Sequence, residues 1–316
     1  MKVINAHAKV KTRTNIKHSS QTKAKPKSLH QQLTNNARQA SGSHKTVDNR
    51  QKMIKRFGQY LKDNNIQIHN VDQIKVSYIE RYIQTRLSQG ISKRTLQNEM
   101  SAIRQTLRAA GREKLADHPR ISSPSLGISG ASRKGTKVAI SQEQYQAIYQ
   151  QALQKSPALA ATLDIAVTLG LRGEEAVQSC QSMKTWQKAL QRGKTTLQVV
   201  FGTKGGRPRN VHIINPQQAL QVINNALNIM QQQNGKLIDK PSLKQAMNYW
   251  RNSTYRLGLT GQISPHSLRY AFTQEQVDQY LKQGYSEQEA LAKASMDLGH
   301  GDGRGRFIKQ VYGKTE

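Results

Sequence analysis

Residues 157–170, Pro-Ala-Leu-Ala-Ala-Thr-Leu-Asp-Ile-Ala-Val-Thr-Leu-Gly, would be apolar on nearly every side of a helix. Such a helix belongs at the buried centre of a domain. The rest of the chain offers little to surround it with. Of 316 residues only 35% are hydrophobic, and 49 Lys plus Arg stand against 19 Asp plus Glu, a formal charge of +30. Self-repulsion on that scale opposes compaction and favours a polyanionic partner. The length predicts two domains.

No apolar run reaches the roughly 18 residues that a membrane helix needs. The basic N-terminus lacks the apolar core of a secretory signal. Cys180, the single cysteine, excludes an intrachain disulfide and argues against a cysteine-based zinc site, and the nine His show no close metal-binding pairs. A soluble protein of a reducing compartment, cytoplasmic and associated with the nucleoid, is expected.

Residues 1–50 carry eleven Lys and Arg against Asp48 alone, with few large apolar residues. Residues 1–45 are therefore expected to be a flexible segment, read either as a solvated tail or as a basic arm that adds phosphate contacts. From Thr46 the pattern becomes helical: Met53, Ile54, Phe57, Tyr60 and Leu61, then Val76, Ile79, Ile83 and Leu87, then Leu96, Met100, Ile103 and Leu107 behind a Ser92 cap. Residues 46–114 thus predict a compact helical bundle. Lys93, Arg94, Arg104, Arg108 and Arg112 lie off the apolar stripe of its third helix. They are either a solvated face or DNA contacts.

Residues 115–137, punctuated by Pro, Gly and Ser, predict an interdomain linker whose Arg133 and Lys134 could track a nucleic-acid backbone. A second domain is expected over 138–316. Ser141 with Gln144 predicts a capping box. Thr195 to Phe201 and Asn210 to Ile214 read as two strands, joined by a Gly202–Pro208 loop with Lys204 near its tip and Arg207 beside it. Helices follow near 216–232, 242–257, 265–282 and 286–298. The fold class is mainly α with a small antiparallel β-sheet.

Four parts of this domain carry chemistry: Leu169-Gly170-Leu171-Arg172-Gly173-Glu174-Glu175, the Lys204 loop, His266-Ser267-Leu268-Arg269, and Leu298-Gly299-His300 with Tyr312 beyond it. Cleaving a phosphodiester by phenol attack needs such a set. Non-bridging oxygens call for a planar, always charged fork, which Arg172 and Arg269 supply. The departing 5′ oxygen needs a proton, for which Lys204 is placed. A donor or base is offered by His266 and His300, and the nucleophile by Tyr312. Glu175, one turn after Arg172, could orient it or His266. Each element alone is common by chance, whereas their ordered conjunction is specific.

That order, Arg, Lys in a hairpin, His-x-x-Arg, His, Tyr, resembles the tyrosine recombinase or phage integrase family. The resemblance implies a SAM-like helical core-binding bundle followed by an α+β catalytic domain, the two forming a clamp on duplex DNA. It implies that Arg172, Lys204, His266, Arg269 and His300 activate the phosphate and that Tyr312 forms a 3′-phosphotyrosine. Strand exchange would pass through a Holliday junction in a homotetramer on DNA, with the free protein a monomer or weak oligomer. No metal or nucleotide cofactor is implied. An accessory DNA-bending or directionality protein is a possible partner.

The intervals Arg269–His300 and His300–Tyr312 exceed those expected for the family, the second holding Gly301 to Arg306 as an expected flexible loop. Only Gly313 to Glu316 follow Tyr312, so coupling between protomers would use the Tyr312 helix or another element. The basic N-terminus favours a mobile-element integrase. Two alternatives stay open: a type IB topoisomerase-like enzyme, and a non-catalytic basic DNA-binding protein.

Overall fold

The structure is a computed structural model that describes residues 27–313, Arg133 excepted. The chain divides into two compact units, one ending at Ala131 and the other starting at Ser132.

The first unit is a helical bundle: α1 (Leu29–Gln39), α2 (His44–Asp63), α3 (Val76–Ser88), α4 (Lys93–Ala109) and the short α5 (Glu113–Ala116). Ser92 caps α4 as its sequence predicts, accepting from the Thr95 N–H. Most of the apolar residues read from the sequence form the core, with Tyr60, Val76 and Leu87 packed partly buried against it and Phe57 and Tyr82 in an edge-to-face pair. A buried carboxylate, Glu99, sits within this core. It accepts from the Tyr82 hydroxyl at 2.8 Å and from Arg86 at 3.0 Å, and Arg56 reaches it from the surface.

Two boundaries differ from those expected. The bundle begins at α1, well before Thr46. Ser28 and Gln31 close a capping box at its start, and Leu33 and Ala37 are buried against α2 and α4. Arg50 holds its end, donating to the carbonyls of Ala37, Ala40 and Ser41, which would otherwise be orphaned at the helix terminus. The reading of residues 1–45 as an arm therefore does not hold over 28–45, and its remainder, 1–26, lies outside the described residues. The expected linker is also shorter. Leu115, Ile121, Leu126 and Ile128 are buried in the bundle, and Gln84 and Gln97 donate to the carbonyls of Leu126 and Ile128.

In the second unit α6 (Gln142–Lys155) starts at the Ser141–Gln144 capping box. Next comes the apolar α7 (Pro157–Thr168), buried from Ala158 to Leu163 and packed by α6, α10 (Pro216–Gln231) and α12 (Ser267–Lys282). Between α7 and α10 lie α8 (Gly173–Gln178), α9 (Met183–Gln191) and an antiparallel pair, β1 (Thr196–Val199) and β2 (Arg209–His212), in register Thr196 to His212 and Val199 to Arg209. α9 was not foreseen from the sequence. After α10 come α11 (Leu243–Arg256), α12, α13 (Glu287–Asp297) and α14 (Gly305–Tyr312). The last two residues of the expected Gly301–Arg306 loop, Gly305 and Arg306, are thus the start of a helix. Among the described residues no helix is long and apolar enough to cross a membrane.

Gly170 ends α7. Its φ of +56° is the left-handed conformation in which α-helices commonly terminate, and a Cβ there would lie 2.2 Å from the Phe272 ring. Gly170→Ala combines backbone strain with overpacking. It is expected to destabilise the protein by about 2–4 kcal/mol, read as a lower urea midpoint at unchanged slope.

Candidate active site

Four short segments converge in the second unit. The turn after Gly170 places Arg172 immediately before α8, whose Glu175 is buried and reaches back. Its carboxylate accepts the Arg172 backbone N–H at 2.9 Å and Arg172 Nη1 at 2.6 Å. This fixes the guanidinium by its own chain, and Nη2 extends to the Leu298 carbonyl at 3.2 Å.

Arg269 lies in the first turn of α12, with His266 directly before the helix rather than inside it. The Arg269 side chain is 0% exposed, and its two Nη atoms donate to the carbonyls of Gly170 and Leu298. Arg172 and Arg269 thus share the Leu298 carbonyl. That carbonyl belongs to the turn ending α13, where the N–H groups of Gly299 and His300 bond back to Met296 and Ser295 and Gly299 takes φ +67°. A left-handed glycine with this double bond is a Schellman cap. It explains why Leu-Gly-His is the sequence that aims His300.

His300 Nε2 lies 3.2 Å from the Tyr312 hydroxyl. Tyr312, at the end of α14, is 3% exposed, its ring packed on Tyr270 at 4.5 Å and on His266 at 6.0 Å between centroids. Gln274 donates to its carbonyl at 3.1 Å. Lys204 and Arg207 are exposed on the hairpin loop, and they line one cleft with Arg172, Arg209 and His300.

Electrostatics follow from the packing. Burial would raise the Glu175 carboxyl, but Arg209, Arg269 and the Arg172 N–H outweigh it and hold the pKa at about 2. Burial, with Arg209 and Arg172 nearby, presses Arg269 down to about 9, which still leaves it charged at neutral pH. Burial, then Arg269 and Arg172, push both His266 and His300 down to about 4. Both rings are neutral at neutral pH, each with one donor and one acceptor nitrogen. Three arginines around one carboxylate leave an excess of positive charge suited to an anionic phosphodiester.

The structure therefore brings together Arg172, Glu175, His266, Arg269, His300 and Tyr312, with Lys204 and Arg207 on the wall of the cleft. The other basic candidates are separate. Lys134 is exposed near the start of this unit, and Arg133 lies outside the described residues. Lys93 and Arg94 are exposed on the first turn of α4 in the bundle. Arg104 donates to the Ile121 carbonyl, Arg108 pairs with Asp117, and Arg112 holds the carbonyls of Val71 and Ile74. These three brace the bundle, and Asp117 neutralises the charge of Arg108.

Sequence reasoning missed Arg209. It is 6% exposed and donates to Glu175 at 2.8 Å, to the Gly170 carbonyl at 3.1 Å and to the Asp297 carbonyl. The available signal was period two: Arg209 shares the inward face of β2 with Val211.

A basic helical bundle followed by a helical domain, in which arginines, histidines and one tyrosine meet beside a two-stranded hairpin, is the architecture of the tyrosine recombinases. Two family models match the chain, one described as phage integrase, N-terminal, over residues 27–116, and one described as integrase over residues 127–275. The chain belongs to the phage integrase family of tyrosine recombinases. Among solved structures it resembles a lambda integrase tetramer bound to a Holliday junction, at 18% identity and TM-score 0.57, with 92% of this chain and 80% of that one covered. It also resembles the Tn1549 transposon integrase in complex with transposon right end DNA, at 14% identity and TM-score 0.54, with 92% and 96% covered. No curated protein sequence matches it.

Proposed function

We propose that the protein is a site-specific DNA recombinase, the integrase of a mobile element, that cuts and rejoins strands through a 3′-phosphotyrosyl intermediate. The observation that carries this reading is the Tyr312 hydroxyl held 3.2 Å from a neutral His300, beside two arginines joined at the Leu298 carbonyl. In the proposed step the Tyr312 oxygen attacks the phosphorus and its proton passes to His300 Nε2. Arg172 and Arg269 neutralise the non-bridging oxygens, and His266 donates to one of them. The bond from phosphorus to the 5′ oxygen breaks, and Lys204 protonates that oxygen. Rejoining is the same path reversed, with the 5′ hydroxyl of a second strand as attacker. The bond energy is kept in the phosphotyrosine. Duplex DNA is the partner, in a tetramer that resolves a Holliday junction. The basic excess of the chain and the DNA complexes formed by its structural neighbours support this assignment.

The test uses duplexes drawn from DNA flanking the gene, each nicked just 3′ of the candidate cleavage position so that the cut strand cannot religate. A protein-linked band on a denaturing gel is the expected product. Strong non-covalent binding without any band would leave a basic DNA-binding protein, and relaxation without exchange between two sites would favour the topoisomerase reading.

Residues 1–26 hold seven Lys and Arg and no acidic residue. Deleting them, while retaining Ser28 and α1, is expected to weaken DNA binding and to flatten its dependence on salt, because fewer counterions are released. An equal slope for both proteins in a salt titration would make the segment a spectator.

A further inference from the structure

Lys204 is the one charged member of the proposed machinery whose head has no hydrogen bond or ion pair among the described residues. Arg172 is fixed by Glu175 and Leu298, Arg269 by Gly170 and Leu298, and His300 by its turn and Tyr312. No hydrogen bond or ion pair anchors the Lys204 ammonium among the described residues, so its place is set by the base of its hairpin. That base is Arg209, the first residue of β2, paired across the sheet with Val199.

Arg209 touches the segments that position Arg172, Arg269 and His300. Its Nη2 meets the Gly170 carbonyl and the Glu175 carboxylate, which position Arg269 and Arg172. Its Nη1 meets the Asp297 carbonyl at the end of α13. Its aliphatic stem runs against the turn that aims His300, where a Cβ on Gly299 would lie 2.8 Å from Arg209 Cδ. Three residues along the strand, the His212 N–H donates to the Asp297 side chain at 3.0 Å, a second tie between the same elements. Both ends of its fork are engaged with these elements, and the residue is buried.

We propose that Arg209 is a positioning residue that seats the hairpin so that Lys204 can protonate the departing 5′ oxygen. This rests on the strand-cleavage reading above. Arg172, Arg269 and His300 each keep hydrogen bonds of their own when Arg209 is lost, to Glu175 and Leu298, to Gly170 and Leu298, and to Tyr312, so its loss should fall chiefly on Lys204. Leaving-group protonation can be separated from phosphate clamping by chemistry. When the bridging 5′ oxygen is replaced by sulfur, attack by Tyr312 breaks a phosphorus–sulfur bond. The thiolate then departs without a proton.

The experiment compares single-turnover adduct formation on oxygen- and sulfur-bridged nicked duplexes for wild type, Lys204→Ala, Arg209→Met and Arg209→Lys. Both Arg209 variants should lose on the order of 100-fold on the oxygen substrate and recover most of it on the sulfur substrate, as should Lys204→Ala. The double variant Lys204→Ala/Arg209→Lys should be no slower than Lys204→Ala alone, because the two act as one unit. Arg209→Lys retains a cation opposite Glu175 and carries the test if Arg209→Met does not fold. An equal defect on both substrates would overturn the proposal by placing Arg209 with the phosphate clamp. Two unfolded Arg209 variants by circular dichroism would make it a residue of the fold alone. Failure of Lys204→Ala to recover on sulfur would remove the acid through which Arg209 is said to act. Failure of wild type on both substrates strikes instead at the cleavage reading itself.

Discussion

Tyr312→Phe is expected to abolish covalent attachment to the nicked duplex while leaving non-covalent affinity at the wild-type level. The substitution deletes one oxygen from a ring that is otherwise retained against Tyr270, His266 and Phe307. The fold loses only the hydrogen bond to His300, a matter of about 0.5–1.5 kcal/mol. The reaction loses its nucleophile, which no neighbouring group replaces at comparable readiness. Tyr270 is the nearest phenol, but burial and the Tyr312 hydroxyl push its pKa up to about 12, further from ionisation than a free tyrosine. A denaturing gel that showed adducts with Tyr312→Phe would direct attention to Tyr270, and Tyr270→Phe would decide the matter.

Much of this arrangement is legible in the sequence because it rests on local rules. Apolar residues at three- and four-residue steps foretell α2, α3 and α4, and serine caps mark the starts of α4 and α6. The hairpin follows from two short apolar runs around a Gly-rich loop. What escaped depended on distant partners. Helix α1 has only Leu33 and Ala37 buried among glutamines and asparagines, and Arg50, far along the chain, closes its end. Residues 115–128 look like a linker by composition, yet a few apolar side chains among prolines and serines suffice to dock them on the bundle. In the site, the order of motif residues identified six side chains that the structure gathers. Arg209 was missed because its one local signal, an inward place on β2 shared with Val211, says nothing of the buried partners it meets, Glu175 and the Gly170 and Asp297 carbonyls.

Arg172→Lys should lower single-turnover cleavage on the order of 100- to 1000-fold, although the charge is kept. The argument is one of geometry. Arg172 bridges the Glu175 carboxylate and the Leu298 carbonyl with two different nitrogens, at 2.6 and 3.2 Å, while still lining the cleft. A lysine has a single ammonium on a flexible stem. If it pairs with Glu175 it abandons Leu298, and it cannot offer a planar pair of donors to two oxygens of one phosphate. Glu175 itself remains satisfied by Arg209 and by the Arg172 backbone N–H, so the buried carboxylate is not orphaned and the fold should survive. The side chain is 24% exposed, which limits the packing loss further. DNA affinity, spread over many cations in a chain of charge +30, should change little. A rate loss with retained binding would locate the contribution of Arg172 in the transition state. Near-normal cleavage by the lysine variant would mean that charge alone suffices at this position and that the bidentate clamp resides in Arg269.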